Sequence, residues 1–509
     1  MTQEKAAQPW TEGYVDGISY IRSFYRELSP TLLRFALLLA GHRPPADPAG
    51  SYHYAELGCG HGVTSAVLAA SHPRARFDAV DFNPDHIAGA RRLADDAGLR
   101  NASFREDSFA DLLDEARADS SDGYDIVALH GIWSWVSERN REILIELLAR
   151  KLKPGGLLFL TYNALPGTYS SLPLRRLLVE HTSENSGPLP ERIANALDFA
   201  TRMTANGYGW FGENDALPNR IEGLKDKSPN YIAHEYLNRD WTAFYHADVA
   251  RSLAAAKLRF AGSAVPMEQV DALTLPEEAM AGLSDARDPD WRETLRDMLI
   301  NRSFRRDLYI KGSDPLSATE RRSLLGSTHF TLLVDSDDAP ELVSTPTGRI
   351  TLTGPLHQAV IRKLGESQCS LDDLVKLAAA GEQAASFDTV LDMLIVLVSL
   401  GIAAPCLDPD GLDERQVGTR RFNRAVMERC RFDDSLLTLA SPVLGSGVAI
   451  ARIEGLFALG LAEGEQPASF AARHLTGHEP TTKVLEDFQR MYAQFERRRR
   501  PLLTRLGLL

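Results

Sequence analysis

The 509-residue chain is poor in cysteine, in net positive charge and in long apolar runs. Its four cysteines, Cys59, Cys369, Cys406 and Cys430, lie far apart and form no C-x-x-C pair. That spacing excludes a disulfide framework and gives no zinc-ligand pattern, so no metal is expected. Acidic residues outnumber basic ones, 69 to 56, for a net charge of −13. Long-range attraction to nucleic acid or to an anionic membrane is therefore disfavoured. The longest apolar run, residues 393–404, is too short to span a bilayer and reads as a buried helix. The polar start, Met-Thr-Gln-Glu-Lys, has no apolar signal core, and a reducing cytoplasm is the expected compartment. Internal repeats and low-complexity tracts are also missing. With 44% hydrophobic and 25% charged residues the chain has the make-up of a folded protein, and its length calls for two to four domains.

What is present begins at residues 54–62, Tyr-Ala-Glu-Leu-Gly-Cys-Gly-His-Gly. Glu56, Gly58, Gly60 and Gly62 alternate directly after a short extended run, and the apolar stretch 63–70 suits a helix. Strand, glycine turn and helix make the first unit of a doubly wound α/β sheet, with a ligand close to the turn backbone. A second strand ends in Asp81-Phe82, about twenty residues past the glycines, where a carboxylate can take ribose hydroxyls. Asn83-Pro84-Asp85 is an N-cap that opens a helix with Ile87, Ala90, Leu93, Ala94 and Ala97 on one face, stopped by Gly98. A third strand from Ala102 leads into Asp107 and Ser108, at the level of a base edge. A fourth, residues 124–130, ends in His130, and a fifth runs over residues 157–162 to Tyr162 and Asn163. A carboxylate pair with no phosphate fingerprint fits a cofactor without phosphates better than a dinucleotide.

This series resembles the class I S-adenosylmethionine-dependent methyltransferases. The resemblance implies a Rossmann-like sheet and S-adenosylmethionine held by Glu56, Gly58, Gly60, Gly62, Asp81, Phe82, Asp107, Ser108 and His130. Further along, residues 231–238 (Tyr-Ile-Ala-His-Glu-Tyr-Leu-Asn), Trp241, Tyr245 and Asp248-Val249 are similar to the methyltransferase regulatory domain. That module follows the catalytic domain in rickettsial-type protein lysine methyltransferases, and the runs Asp81-Phe82-Asn83-Pro84, Leu129-His130-Gly131-Ile132 and Phe304-Arg305-Arg306-Asp307 are similar to the same family. That likeness implies methylation of lysine side chains. A small molecule or a peptide of secondary metabolism is the alternative acceptor.

In open α/β sheets the reacting centre lies beyond the carboxyl ends of the strands. His130, Trp133, Tyr162 and Asn163 are accordingly the expected catalytic residues. Trp135, His234, Asn238 and Trp241 are expected on the substrate side. The aromatic rings could hold an ammonium by cation–π contact. For each of these residues the competing reading is a packing role.

The expected division is a helical arm over 1–50, with Tyr14, Asp16 and Tyr20 as lid residues, and a cofactor domain over 51–165 that holds a complete site. A helical and loop segment follows over 166–230, whose glycine–aromatic run 207–212 suits a mobile cover. A regulatory-type domain is expected over 231–335, and a helical, winged-helix-like unit over 340–509, separable from cofactor binding. The buried helix near 390 lacks Lys and Arg, so that last unit is not read as a DNA reader. Partners are a protein, peptide or small-molecule acceptor, and a homodimer is left open.

Overall fold

Five parallel strands form where the apolar runs and glycine turns place them: β1 (His53–Leu57), β2 (Arg76–Asp81), β3 (Ala102–Glu106), β4 (Tyr124–Leu129) and β5 (Leu152–Asn163). They belong to a computed structural model that describes residue 14 and residues 22–119, 123–312, 314–380 and 385–509. The expected lid residues Asp16 and Tyr20 lie outside the described residues.

The sheet does not close at residue 165. Two further strands, β6 (Leu258–Ser263) and β7 (Phe304–Lys311), come from the segment expected to be a separate domain, and the order is β3-β2-β1-β4-β5-β7-β6. β7 runs antiparallel to β5 from Leu157↔Ile310 to Asn163↔Phe304, and β6 pairs antiparallel with β7. The physical reason is the exposed edge of β5: an unpaired row of backbone donors and acceptors is satisfied by adding strands.

Helices α1 (Pro30–Leu39), α2 (Val63–Ser71) and α3 (Pro84–Ala97) cover one face, while α4 (Phe109–Ala118) and α5 (Glu138–Lys151) cover the other. The Asn83 side chain caps α3 by accepting from the Asp85 N–H, Pro84 stands first in the helix, and Gly98 ends it in the left-handed conformation. Of the helical arm expected over residues 1–50, the described part holds α1 and a single tight turn at Arg26–Leu28, with residues 22–25 non-helical. α1 is buried nearly all round, because it lies between the sheet and the 325–403 region.

Beyond β5, α6 (Leu172–Glu184), α7 (Leu189–Asn206), α8 (Leu217–Lys225) and α9 (Pro229–Tyr236) share one apolar cluster. Ile232 and Ala233 of α9 belong to it, so the boundary expected at residue 230 falls inside a packing unit. The run 207–212 is a turn between α7 and α8 with Trp210 and Phe211 packed on that cluster, and it does not border the cavity described below. α10 (His246–Ala254) returns to the face of α4 and α5.

The C-terminal region packs as two bodies. In the first, the strands His329–Leu332, Cys369–Ser370 and Ala403–Cys406 form a three-stranded antiparallel sheet with the helices Pro355–Glu366, Leu371–Ala379 and Phe387–Ser399. The second, built around the helices Leu412–Arg429 and Arg452–Glu463, shares one core with α2 and α3, where Val67, Ala90 and Leu93 meet Phe422, Leu456 and Phe457. Among the described residues no helix is long and apolar enough to cross a membrane.

Candidate active site

The chain leaves β1 through Gly58, Cys59 and Gly60 at the sheet's carboxyl edge. The N–H groups of Gly58 and Cys59 both donate to the Val80 carbonyl, at 2.7 and 2.9 Å. A side chain at Gly58 would collide with Ile132, 2.0 Å from an ideal Cβ, and the backbone there has φ +80°. The turn can therefore lie flat on the strand ends only with glycine at this place. The Gly60 N–H donates to Asp81 Oδ2 at 2.8 Å, while Asp81 Oδ1 takes the Asn83 N–H and faces His86 Nδ1 at 3.2 Å. Oδ2 keeps an acceptor direction open for a hydroxyl.

Glu56 lies beneath the turn and accepts a short hydrogen bond from the Ser65 hydroxyl. Burial pushes its carboxyl up to about 7, the Ser65 contacts oppose the shift, and the Asp81 charge adds to it. These groups border a cavity of about 220 Å³, whose wall on the β4 side is His130, Ile132, Trp135 and Val136. Its far end is Asp107, Ser108 and Phe109, and its cover is Tyr14, Tyr25, His234, Glu235 and Asn238. Tyr14 connects the two sides, with its ring 5.7 Å from Phe82 edge-on and 5.3 Å from His234 in a stack.

His130 is held from below and beside. Its ring centroid lies 3.9 Å from that of Tyr25, and its Nε2 is 3.6 Å from Glu27 Oε1. Burial opposes ionisation of Glu27, yet the hydrogen bond and charge of His130, with Arg306 beyond, hold that carboxyl down to about 2. Glu27 thereby keeps an anion behind His130. Tyr25 and Glu27 carried no motif; their only sequence signal was membership of an arm expected to cover the site.

Of the residues singled out in the sequence, the structure brings Glu56, Gly58, Gly60, Asp81, Phe82, Asp107, Ser108, His130, Trp135, His234 and Asn238 to this one cavity. Two of them are already engaged. Ser108 caps α4, its hydroxyl exchanging bonds with Asp111, and Asp107 accepts from Arg105 Nε at 2.7 Å.

Five others stand elsewhere. Gly62 opens α2 at φ +65°, where a Cβ would strike Phe104 at 2.5 Å, so its task is helix-to-strand packing. Trp133 is 1% exposed in the core between sheet and α5, because the turn after Ile132 sends residues 133 and 135 to opposite sides. Tyr162 points into the protein and donates to Asp307 Oδ2 at 2.8 Å. Asn163 acts through its backbone: its N–H donates to Ser134 Oγ at 2.8 Å and its carbonyl accepts from the Phe244 N–H. Trp241 stacks under Arg175, 4.9 Å from its guanidinium carbon, and braces α6 instead of facing the cavity.

The Phe304–Asp307 run has a structural explanation. Arg305 Nε donates to Asp307, and its other nitrogens reach Asp297 and Glu293 at 2.7 and 2.8 Å, all beneath β5. His246 Nδ1 stands 3.2 Å from Asp307 Oδ2 in the same network.

The chain matches two family models, "Methyltransferase domain" over residues 55–158 and "Predicted methyltransferase regulatory domain" over residues 228–311. It is 34% identical to a Synechocystis protein, sll1526, over 98% of this chain and 99% of that one. It is 27% identical to RP028 of Rickettsia prowazekii, over 45% of this chain and 89% of that protein. Among solved structures it is similar to PKMT2 from Rickettsia typhi in complex with AdoHcy. There the TM-score is 0.72 at 20% identity, and the match covers 96% of this chain and all of that one.

Proposed function

Because the chain belongs to the class I S-adenosylmethionine-dependent methyltransferases that carry a methyltransferase regulatory domain, we propose that it N-methylates lysine side chains of a protein substrate. S-adenosylmethionine, when bound, supplies an electrophilic methyl on a sulfonium. The residues present suit that cofactor. Two carboxylates, Glu56 and Asp81, flank the glycine turn and would repel a diphosphate, while Asp81 Oδ2 can accept a ribose hydroxyl and Glu56 can face an ammonium. Apolar Ile132, Val136 and Ile143 offer a wall for a base.

The observation that carries the reading is the composition of that cavity. Catalytic-domain strand ends and α9, from the regulatory segment, meet across it, so any acceptor is enclosed by both. Enclosure excludes water and aligns the nucleophile. The motif likeness to rickettsial protein lysine methyltransferases favours a lysine amine over a small acid or alcohol. The region of the helices 355–399 with its three-stranded sheet is read as winged-helix-like; its helix Phe387–Ser399 is buried and bears no Lys or Arg, which suits packing or protein contact instead of DNA.

The test is incubation of the purified protein with radiolabelled cofactor and a bacterial lysate. The expected result is label in protein that hydrolyses to methylated lysine. Label confined to small molecules would replace this reading with that of a small-molecule methyltransferase.

A further inference from the structure

Glu235 is the one carboxylate that α9 delivers to the cavity, and it stands apart from the other acids there. Asp81 takes three contacts, Glu56 takes Ser65, and Asp107 takes Arg105. No hydrogen bond or ion pair to Glu235 is found among the described residues. Its position is central to the cover. The Tyr14 hydroxyl lies within electrostatic reach of Asp81, Glu235 and Tyr25, and Tyr25 is stacked on His130.

We propose that Glu235 is the catalytic base that takes the proton from an incoming amine. The proposal rests on the lysine reading above for the identity of that amine. A protonated lysine has no lone pair, and at pH 7.4 only about one in a thousand is neutral in water. In the proposed step an N–H bond of the ammonium breaks and an O–H bond forms on a Glu235 Oε. The electron pair of that N–H bond stays on nitrogen, where it is free to receive the methyl. The carboxylic acid returns its proton to water when the product leaves.

The charges around Glu235 favour this exchange. Tyr231 and Tyr236 stand beside it on α9 and Tyr14 faces it from the N-terminal segment, none of them a cation. Across the cavity are Glu56, Asp81, Asp107, Asp240, His86, His130 and Arg139, and His234 precedes Glu235 on α9. Burial alone raises its carboxyl to about 7, poised between holding and releasing a proton near neutrality. An arriving ammonium would be a counter-ion that none of the described residues supplies.

The experiment compares wild type with Glu235→Gln, which keeps the shape, and with Glu235→Asp, which keeps the charge. Calorimetry supplies a readout independent of turnover. The two probes are S-adenosylhomocysteine and sinefungin, which carries a primary amine in place of the sulfonium methyl. Glu235→Gln should bind the first within twofold of wild type and the second at least tenfold more weakly at pH 8. Single-turnover labelling of poly-L-lysine should fall about 100-fold at pH 7 in Glu235→Gln, within the range for a general base. The wild-type rate should level off above pH 7, while the variant's rate should keep rising towards pH 10 as free amine forms. Glu235→Asp should recover part of the rate. Equal effects on both probes, or an unchanged pH profile, would overturn the role of Glu235. If wild type fails to label the polymer at all, the lysine reading fails while the two-probe comparison still decides the carboxylate's role.

Discussion

Trp133 and Trp135 show how far two similar residues can differ. Trp133 is enclosed between the sheet and α5, whereas Trp135 borders the cavity. Trp133→Ala should cost about 3–5 kcal/mol of stability, the range for deleting a large buried aromatic. Trp135→Ala should leave the urea midpoint nearly unchanged and lower single-turnover rates. Loss of rate in a fully folded Trp133→Phe protein would return that residue to the site. Glu56 permits a pH prediction. Its carboxyl titrates near 7 in the folded protein against an ordinary value of 4.5, so the folded state holds its proton longer than the unfolded chain does. Wild-type stability should therefore fall as pH rises from about 4.5 to 7, by on the order of 3 kcal/mol in total. Glu56→Gln lacks that loss. It should be more stable than wild type at pH 8, with the gain vanishing below pH 5, and should bind S-adenosylmethionine more weakly. Urea midpoints across that range, measured without cofactor, check the sign.

Between strands and helices, the joint that matters is β5 with β7. Tyr162 pairs with Arg305 across it, and Arg305, Asp307, Asp297, Glu293 and His246 form one buried ionic network beneath. Burial and the Arg305 charge oppose protonation of His246, yet Asp290 and Asp307 hold its imidazole above the ordinary value. Burial also disfavours the Asp307 anion, but Arg305 and His246 keep that carboxyl far below the usual range. The depressed Asp307 contributes stability at pH above the ordinary carboxylate range, lost as pH falls through its folded value. The raised His246 contributes stability at pH below the ordinary histidine range, lost as pH rises through its folded value. Removing one member leaves the others charged and dry. Arg305→Met should therefore destabilise by about 3–5 kcal/mol, read from the guanidinium midpoint at pH 7. Tyr162→Phe loses the hydroxyl's contacts with Asp307 and His246 and should cost about 1–3 kcal/mol while keeping its turnover, since the ring does not reach the cavity.

For the molecule as a whole, the C-terminal half is part of the core of the catalytic half. The backbone carbonyl of Ala70 on α2 lies 2.7 Å from where a Cβ would stand on Gly418. Gly418→Val should wedge the helix Leu412–Arg429 off α2, at about 1–3 kcal/mol, the usual cost of overpacking. The sequence-level expectation was a cofactor site complete by residue 165 and indifferent to the tail. The structure leads to the opposite outcome. A chain ending at residue 335 would keep all seven strands of the sheet but would bare the apolar faces of α1, α2 and α3. It should lose the cooperative calorimetric transition and fail to retain cofactor binding. A well-folded, binding-competent truncation would show the two halves to be independent.

The amino-acid order by itself determined what depends on neighbours along the chain. Five strands, the glycine turn, the Asn83 cap and the stop at Gly98 all follow from short patterns of apolar spacing and backbone freedom. Those patterns also put Glu56, Gly58, Gly60, Asp81 and His130 at one edge, because parallel strands bring their carboxyl ends together. Contacts between distant segments decided the rest. That β6 and β7 complete the sheet, that Tyr162 faces Asp307, and that Tyr14 and Glu235 meet over the strand ends depends on pairings between residues far apart in the chain. Local periodicity cannot encode such pairings, since an aromatic at a strand end packs equally well inward or outward until a second element supplies the charge, the edge or the cover that selects one side.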